Sequence, residues 1–512
     1  MERNHLLWLA AGMTSLSLAA RAQQPQRPNV IIIYADDLGY GDLSCYGATR
    51  VSTPHIDQLA AEGCRFTNAH AVAATSTPSR YSLLTGEYSW RREGTDIARG
   101  DAGMIIRPEQ YTMADLFRNA GYATGAFGKW HLGLGDKTGK QDWNAPLPTG
   151  LADIGFDYSY IMAATADRVP CVFIENGQVA NYDPTAPITV SYEHPIEGEP
   201  TGKEHPELCY NQQSAFGHNQ AIVNGIGRIG YMKGGGRALW KDEHLADSIV
   251  DHALRFIRQH RSEPFFMYLA TNDIHVPRFP SDRFRGKSPM GVRGDVILQL
   301  DWTVGEVMRE LKRLKLDNNT LIVFSSDNGP VVNDGYADRA EELLGDHSPA
   351  GPLRGNKYSA FEGGTRVPVI VRWPGKVTAG QESGALLSQI DLFATFAHLL
   401  SARMPHGAAP DSQNAADAWT GKDSQGRAWV VEQALNHTLS LRTPQWKYIE
   451  PCANPYPFMQ LEKVETGYGD RPQLYKVDDD IRESTDVAEQ HPSVVFDLQK
   501  LMREIQGKRP KK

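Results

Sequence analysis

The sequence predicts an α/β protein: a large domain with a mostly parallel central sheet flanked by helices, then a smaller C-terminal α+β subdomain. Three observations carry this. Short apolar runs at 30–34, 265–269, 321–324 and 367–371 read as buried parallel strands. Helical segments lie between them, and strand–helix alternation over this length builds a parallel sheet. A stretch rich in Pro, Gly, Ala and Asp at 405–421 separates a domain at 23–405 from a subdomain at 406–512.

In chain order, residues 1–22 read as a secretory signal peptide. Arg3 and His5 precede Leu6-Leu7-Trp8-Leu9-Ala10-Ala11, and small residues end in Ala20-Arg21-Ala22. No Cys follows to carry a lipid, and no later apolar run is long enough to span a bilayer. The expectation is an exported chain without a membrane anchor. Thr53 caps a helix with Pro54 at its first position and Gly63 as its stop. Thr112 with Asp115 resembles a capping box, closed by Gly121. Residues 122–127 lead into Lys129, and 153–241, with little regular pattern, reads as a pocket wall. Helices fit 245–259, 301–314 and 390–400. The subdomain holds a strand at 428–431, further short strands and a helix at 493–505. The basic residues 508–512 read as a frayed terminus.

The chain has 512 residues, 41% hydrophobic and 22% charged, so it can build a large core and wholesale disorder is excluded. Lys and Arg number 53 against 61 Asp and Glu, a net charge of −8. That balance argues against a protein that binds nucleic acid by neutralising phosphates, yet leaves room for an anionic substrate in a local basic pocket. The five cysteines, Cys45, Cys64, Cys171, Cys209 and Cys452, are few, scattered and odd in number, which excludes a disulfide scaffold, and no CxxC pair leaves no thiolate zinc site. Pairing of Cys171 with Cys209 stays open.

Polar clusters follow the strands. Asp36 and Asp37 follow the first; Asp273 and His275 follow 265–269; Asp327, Asn328 and Gly329 follow 321–324; Lys129 and His131 follow 122–127. Ligands of open α/β sheets bind outside the carboxyl ends of the strands, so these clusters should converge. Asp36, Asp37, Asp327 and Asn328 form an all-oxygen set, suited to Ca²⁺ or Mg²⁺ and not to zinc. Lys129, His131, His275 and Lys357 add positive charge, the combination a tetrahedral oxyanion requires. Ser76 precedes Pro78 at the start of a helix, where anions bind readily, and Arg80 lies one turn on. By its residues alone, Ser76 reads as a good N-cap and no more.

Ser76-Thr77-Pro78-Ser79-Arg80, followed by Leu83-Leu84-Thr85-Gly86, resembles the signature of formylglycine-dependent, arylsulfatase-like sulfatases in its serine form. The ordered set continues with Asp36-Asp37-Leu38-Gly39-Tyr40-Gly41-Asp42, Gly128-Lys129-Trp130-His131-Leu132-Gly133, Ser326-Asp327-Asn328-Gly329, Gly355-Asn356-Lys357 and Glu362-Gly363-Gly364-Thr365-Arg366, and with Leu441-Arg442-Thr443 and Gln473-Leu474-Tyr475 near the end. The resemblance implies an alkaline-phosphatase-like fold and hydrolysis of sulfate esters. It implies that a maturation enzyme converts Ser76 to formylglycine (3-oxoalanine), whose hydrate sits on one Ca²⁺ held by Asp36, Asp37, Asp327, Asn328 and residue 76 itself. Arg80 and Lys129 would hold the diol, His131 would take a proton, and His275 and Lys357 would bind sulfate, with His275 the acid to the leaving oxygen. Two positions depart from the pattern: Glu87 stands where the family has Arg, and Arg278 where many members have a second His.

The chain is most similar to exported bacterial glycan sulfatases. The expected substrate is a carbohydrate sulfate, cleaved in exo fashion from a terminal galactose or N-acetylgalactosamine in the periplasm of a Gram-negative bacterium. Asp167, Arg168, His218, Arg278 and Asp338 are the candidates to grip sugar hydroxyls. Two other classes fit the same residues: an alkaline-phosphatase-like phosphatase or phosphodiesterase, and a non-catalytic relative that binds sulfated glycans.

Overall fold

The computed structural model describes residues 27–452 and 461–507. The signal-peptide reading at 1–22 and the basic stretch at 508–512 lie outside the described residues. The centre is a ten-stranded sheet in the order Gln381–Ser383, Cys64–Phe66, Val369–Arg372, Thr320–Ser326, Asn29–Ala35, Phe265–Ala270, Ala123–Lys129, Tyr158–Met162, Phe173–Glu175, Gln178–Val179. The five strands from Thr320–Ser326 to Tyr158–Met162 are parallel to their neighbours. The Asn29–Ala35, Phe265–Ala270 and Thr320–Ser326 strands are buried along their whole length, the signature of a sheet covered on both faces.

Register places the chemistry. Ala35 pairs with Ser326, Tyr34 with Ala270, and Ala270 with Gly128. The residues after these positions therefore leave the sheet at nearly one level, and four loops distant in sequence meet at its carboxyl edge.

Three local expectations are corrected. The strand expected at 367–371 runs antiparallel to both neighbours as Val369–Arg372. The chain reaches it from the short Glu362–Thr365 helix without crossing back under the sheet, so no parallel crossover is made. The helix expected at 301–314 spans Gly291–Arg313. Its first turns carry fully buried Arg293, whose guanidinium makes two 2.8 Å bonds to Asp42, so a buried charge there mimics a polar face. The 153–241 region is not patternless, since Tyr158–Met162 and Phe173–Glu175 belong to the central sheet. The remainder forms short ribbons, Ile222–Val223 with Ile226–Gly227 and Thr189–Ser191 with Tyr231–Lys233. All five cysteines are free.

The smaller C-terminal part is an antiparallel sheet of Val430–Gln433, Leu439–Arg442, Trp446–Ile449 and Gln473–Lys476. The Pro492–Gly507 helix buries Val495, Leu498, Met502 and Ile505 in a cluster with Val431, Leu441, Tyr448 and Leu474, which Val72, Tyr88 and Ile390 of the large domain join. Beside it lies a buried ionic cluster. Lys447 Nζ donates to Glu432 at 2.5 Å and Glu362 at 3.2 Å, His70 pairs with Glu432 at 2.6 Å, and Arg442 and Arg366 reach Glu362 at 3.3 and 3.2 Å. Buried charges persist where they are mutually paired, and here the pairing ties the two parts of the chain together. The 405–421 stretch is fastened as well: Asp411 accepts two 2.8 Å bonds from Arg91, and Trp419 is buried.

Candidate active site

Ser76 opens the Ser76–Thr85 helix, and Thr75 holds the extended N-cap position. The chain can turn into the helix here because Pro78 lies in the first turn, where no amide is needed. Ser76 Oγ accepts from Lys129 Nζ at 2.7 Å and lies 3.4 Å from Asp36 Oδ1 and 3.3 Å from Asn328 Oδ1. Lys129 Nζ also donates to Asp36 Oδ1 at 2.6 Å and reaches Asp327 Oδ2 at 3.5 Å. Arg80 donates to Asp327 Oδ2 from Nε at 3.0 Å and Nη2 at 2.8 Å, and to the Tyr268 hydroxyl at 3.2 Å. Its guanidinium lies over the Tyr34 ring, 5.1 Å from the centroid. Asn328 Nδ2 donates to Asp37 Oδ1 at 2.8 Å, and the Asp37 amide to Asp327 Oδ1 at 3.2 Å. Lys357 Nζ donates to Asp37 Oδ2 at 2.9 Å, and His275 Nε2 lies 3.8 Å from the same oxygen. Ser76, Arg80, Lys129, His275, Lys357, Asp36, Asp37, Asp327 and Asn328 thus meet at one place, with His131 close by.

Three buried carboxylates face three buried cations here. Burial pushes Asp36 up to about 6 although Lys129 pulls it down. Burial also raises Asp327, but Arg80 and Lys129 outweigh it and hold that carboxyl far below its usual range. Asp36 Oδ2 is buried without a hydrogen-bond partner. An all-oxygen donor set with one orphaned carboxylate oxygen fits a hard divalent cation. One ligand atom from each of Asp36, Asp37 and His275 lies within 4.8 Å of the other two, close enough to share an ion. His131 is buried, and its Nε2 bonds the Ala98 carbonyl at 2.9 Å. A carbonyl only accepts, so Nε2 carries the hydrogen and Nδ1, which has no partner, is the basic nitrogen. Burial, then Lys129 and Arg168, hold this imidazole well below its usual pKa, so it is neutral at pH 7.

The rim divides. Asp167 accepts from His218 Nε2 at 3.0 Å and Arg168 Nη1 at 2.9 Å. Burial raises its carboxyl, but Arg168, His275 and His218 together draw it well below its usual value, which places this trio beside the site. Arg278 and Asp338 are engaged with each other at 2.8 Å. Arg278 also donates to the carbonyls of Ile274, Val331 and Val332, so it braces two loops. Glu87 accepts from the Tyr81 hydroxyl at 2.7 Å and from Arg92 at 2.6 Å, a clasp at the end of the Ser76 helix.

Sequence reasoning missed Asp334, which lies 3.5 Å from Lys357 Nζ. Burial raises this carboxyl, but Lys357, His275 and His218 bring it down to about 2. The Asp334-Gly335 turn dipeptide was the available signal.

The sequence pattern of the sulfatase family matches residues 28–402. The chain belongs to the sulfatase family. It is a sulfuric ester hydrolase. It is 55% identical over 483 residues, 94% of each chain, to an N-acetylgalactosamine-6-O-sulfatase of Bacteroides thetaiotaomicron. It is 31% identical to human steryl-sulfatase over 428 residues, 79% of this chain and 72% of that one. A Bacteroides thetaiotaomicron sulfatase solved in work on the metabolism of multiple glycosaminoglycans superimposes with a TM-score of 0.92 at 54% identity, covering 94% of this chain and all of that one. A phosphonate monoester hydrolase of Agrobacterium radiobacter shares the fold alone, at 17% identity and a TM-score of 0.59. Among the described residues no helix is long and apolar enough to cross a membrane.

Proposed function

We propose that this sulfatase is a calcium- and formylglycine-dependent exo-acting carbohydrate sulfatase that removes the 6-O-sulfate of a terminal N-acetylgalactosamine. The observation that carries the chemistry is the meeting of Ser76 with Lys129, Asp36 and Asn328 at one helix N-terminus. The observation that carries the sugar is the 55% identity, over nearly the whole chain, to an N-acetylgalactosamine-6-O-sulfatase.

Asp36, Asp37, Asp327 and Asn328 would hold Ca²⁺, and a maturation enzyme would oxidise Ser76. Together these groups supply a nucleophilic hydroxyl and a cation to polarise sulfate. Arg80 and Lys129 place positive charge where an oxyanion is formed, and are themselves oriented by Asp327 and Asp36. His131, neutral with Nδ1 unprotonated, is the base. His275 keeps Nδ1 on the Val276 carbonyl at 2.7 Å, which leaves Nε2 to face the substrate oxygen. Lys357 binds sulfate, its ammonium held by Asp37 and Asp334. Asp167, Arg168 and His218 read sugar hydroxyls at the rim, while Arg278 and Asp338 shape the loop behind them. The buried Lys129 and Lys357 ammoniums already balance Asp36 and Asp37, which favours one ion over the two transition metals of an alkaline-phosphatase-like site. Export through the signal peptide to the periplasm completes the reading.

Two measurements test it. The Ser76 peptide from the native host, by mass, should be two hydrogens lighter than serine. The enzyme should desulfate 6-sulfated N-acetylgalactosamine at a chain end and spare the same sugar inside a polymer. An unmodified Ser76 in active protein, or equal rates on internal and terminal sulfates, overturns it.

A further inference from the structure

Glu462 comes from the C-terminal part of the chain yet stands beside the active site. Its neighbours pin it there. The Leu461 carbonyl accepts from Asn333 Nδ2 at 3.2 Å, and Lys463 Nζ donates to both Glu341 carboxylate oxygens at 3.0 and 2.9 Å. Asn333 adjoins Asp334, and Glu341 lies in the short Ala340–Leu343 helix that follows. Lys463 has a φ of 55°, a left-handed turn that takes the chain back to the surface. Between these anchors Glu462 faces inward. It is 9% exposed, and its Oε2 is buried without a hydrogen-bond partner. Its carboxyl feels the charges of Asp334, Lys357 and Asp37, and Tyr358 feels the charge of Glu462.

A buried polar oxygen without a partner costs on the order of 1–3 kcal/mol, and completion by a ligand is one way such a cost is recovered. Lys357, the cation whose charge reaches it, is already committed to Asp37 and Asp334. Burial, then Asp334, raises Glu462 to about 9, so at pH 7 it is a neutral acid with one hydrogen to donate and one oxygen to accept. A neutral acid beside the sulfate pocket does not repel an anionic substrate, as a second carboxylate next to Asp334 would. An acetamido group offers the complementary pair, a carbonyl oxygen and an N–H, and a plain hydroxyl at the same ring position cannot match both.

We propose that Glu462 is a specificity-determining residue, its carboxyl hydrogen-bonding the acetamido group of the sulfated sugar held by Lys357. This rests on the carbohydrate reading above and deepens it: the C-terminal subdomain completes the sugar pocket of the large domain. A site built to pair with a polar group discriminates strongly against the analogue that lacks it.

The test compares kcat/KM of the matured enzyme on 6-sulfated N-acetylgalactosamine, 6-sulfated galactose and an aryl sulfate. Glu462→Ala should lose at least tenfold on the first and stay within twofold on the other two. Glu462→Gln, which keeps a donor and an acceptor, should retain most activity on all three. Glu462→Asp, with shortened reach, should show a smaller loss confined to the N-acetylated sugar, and it serves if the alanine variant fails to fold. Equal losses on both sugars, losses on all three substrates, or no loss anywhere overturn the inference while the carbohydrate reading stands. Wild-type enzyme active on the aryl sulfate alone overturns both.

Discussion

Replacing Ser76 with alanine should separate binding from turnover. The Oγ lost accepts from Lys129 at 2.7 Å, but Lys129 keeps Asp36 at 2.6 Å and Asp327 at 3.5 Å. A hydrogen bond to a charged group contributes about 1.5–3 kcal/mol. One of three partners is removed and the other two remain, so the fold should lose no more than about 1.5–3 kcal/mol. Turnover should fall far more, because loss of a covalent nucleophile costs on the order of a million-fold in kcat. At about 1.4 kcal/mol per decade that is roughly 8 kcal/mol of barrier. The groups proposed to attract sulfate, Lys129, Lys357 and Arg80, are untouched, so the affinity for a sulfated sugar should shift by less than about tenfold, or 1.4 kcal/mol. Matched preparations should be compared by sulfate release from an aryl sulfate, by calorimetric titration with 6-sulfated N-acetylgalactosamine, and by thermal unfolding. Turnover within tenfold of the wild type refutes Ser76 as the site of the nucleophile. Loss of binding together with turnover refutes the claim that the cations alone recognise sulfate.

Chelation should abolish activity and added calcium restore it, and Asp327→Ala should resist rescue while remaining folded by circular dichroism; full activity in protein shown to be metal-free would refute the calcium assignment. The interdomain ionic cluster sets a pH dependence of stability. Burial raises Glu432, but Lys447 and His70 outweigh it and bring it to about 2, so its contribution is complete above pH 4.5 and is lost as pH falls towards 2. Glu483 behaves oppositely. Burial raises it to about 8, so its contribution is complete below pH 4.5 and is lost as pH rises towards 8. Glu483→Gln keeps an oxygen to accept the Glu362 amide, now bonded at 2.7 Å, and removes the second loss. Denaturant titrations should find it level with wild type at pH 4 and more stable at pH 8, by a few kcal/mol at about 1.4 per pKa unit; a variant no more stable at pH 8 contradicts the burial argument.

What could be read in the sequence was what repeats locally. Continuous apolar runs marked three central strands, and Asp36, Asp37, Asp327 and Asn328 stand directly after two of them, with Lys129 and His275 at or shortly past the ends of their own strands, where α/β topology gathers ligands. Strand direction at Val369–Arg372 was hidden, because a short buried strand reads alike in both orientations. The helix start at Gly291 was hidden because a buried Arg293 looks polar until Asp42, 251 positions away, is beside it. The rim was least legible. Asp167 and His218 are 51 residues apart, and Asp334 gains meaning only next to Lys357. Glu462 lies in a segment with no periodic pattern, and only tertiary folding brings it to Lys357. Arg278 and Asp338 looked available until their mutual bond was visible.

The pairing of Ala35 with Ser326 and of Tyr34 with Ala270 has a consequence for quality control of the protein itself. A strand slipped by one residue presents its alternate side chains to the opposite face. Asp36 or Asp327 would then turn away from Ser76, with little change in secondary-structure content. Specific activity therefore works as a proofreading signal for the central sheet. A misregistered fraction would look native by circular dichroism yet turn over slowly, so specific activity reads what secondary-structure content does not.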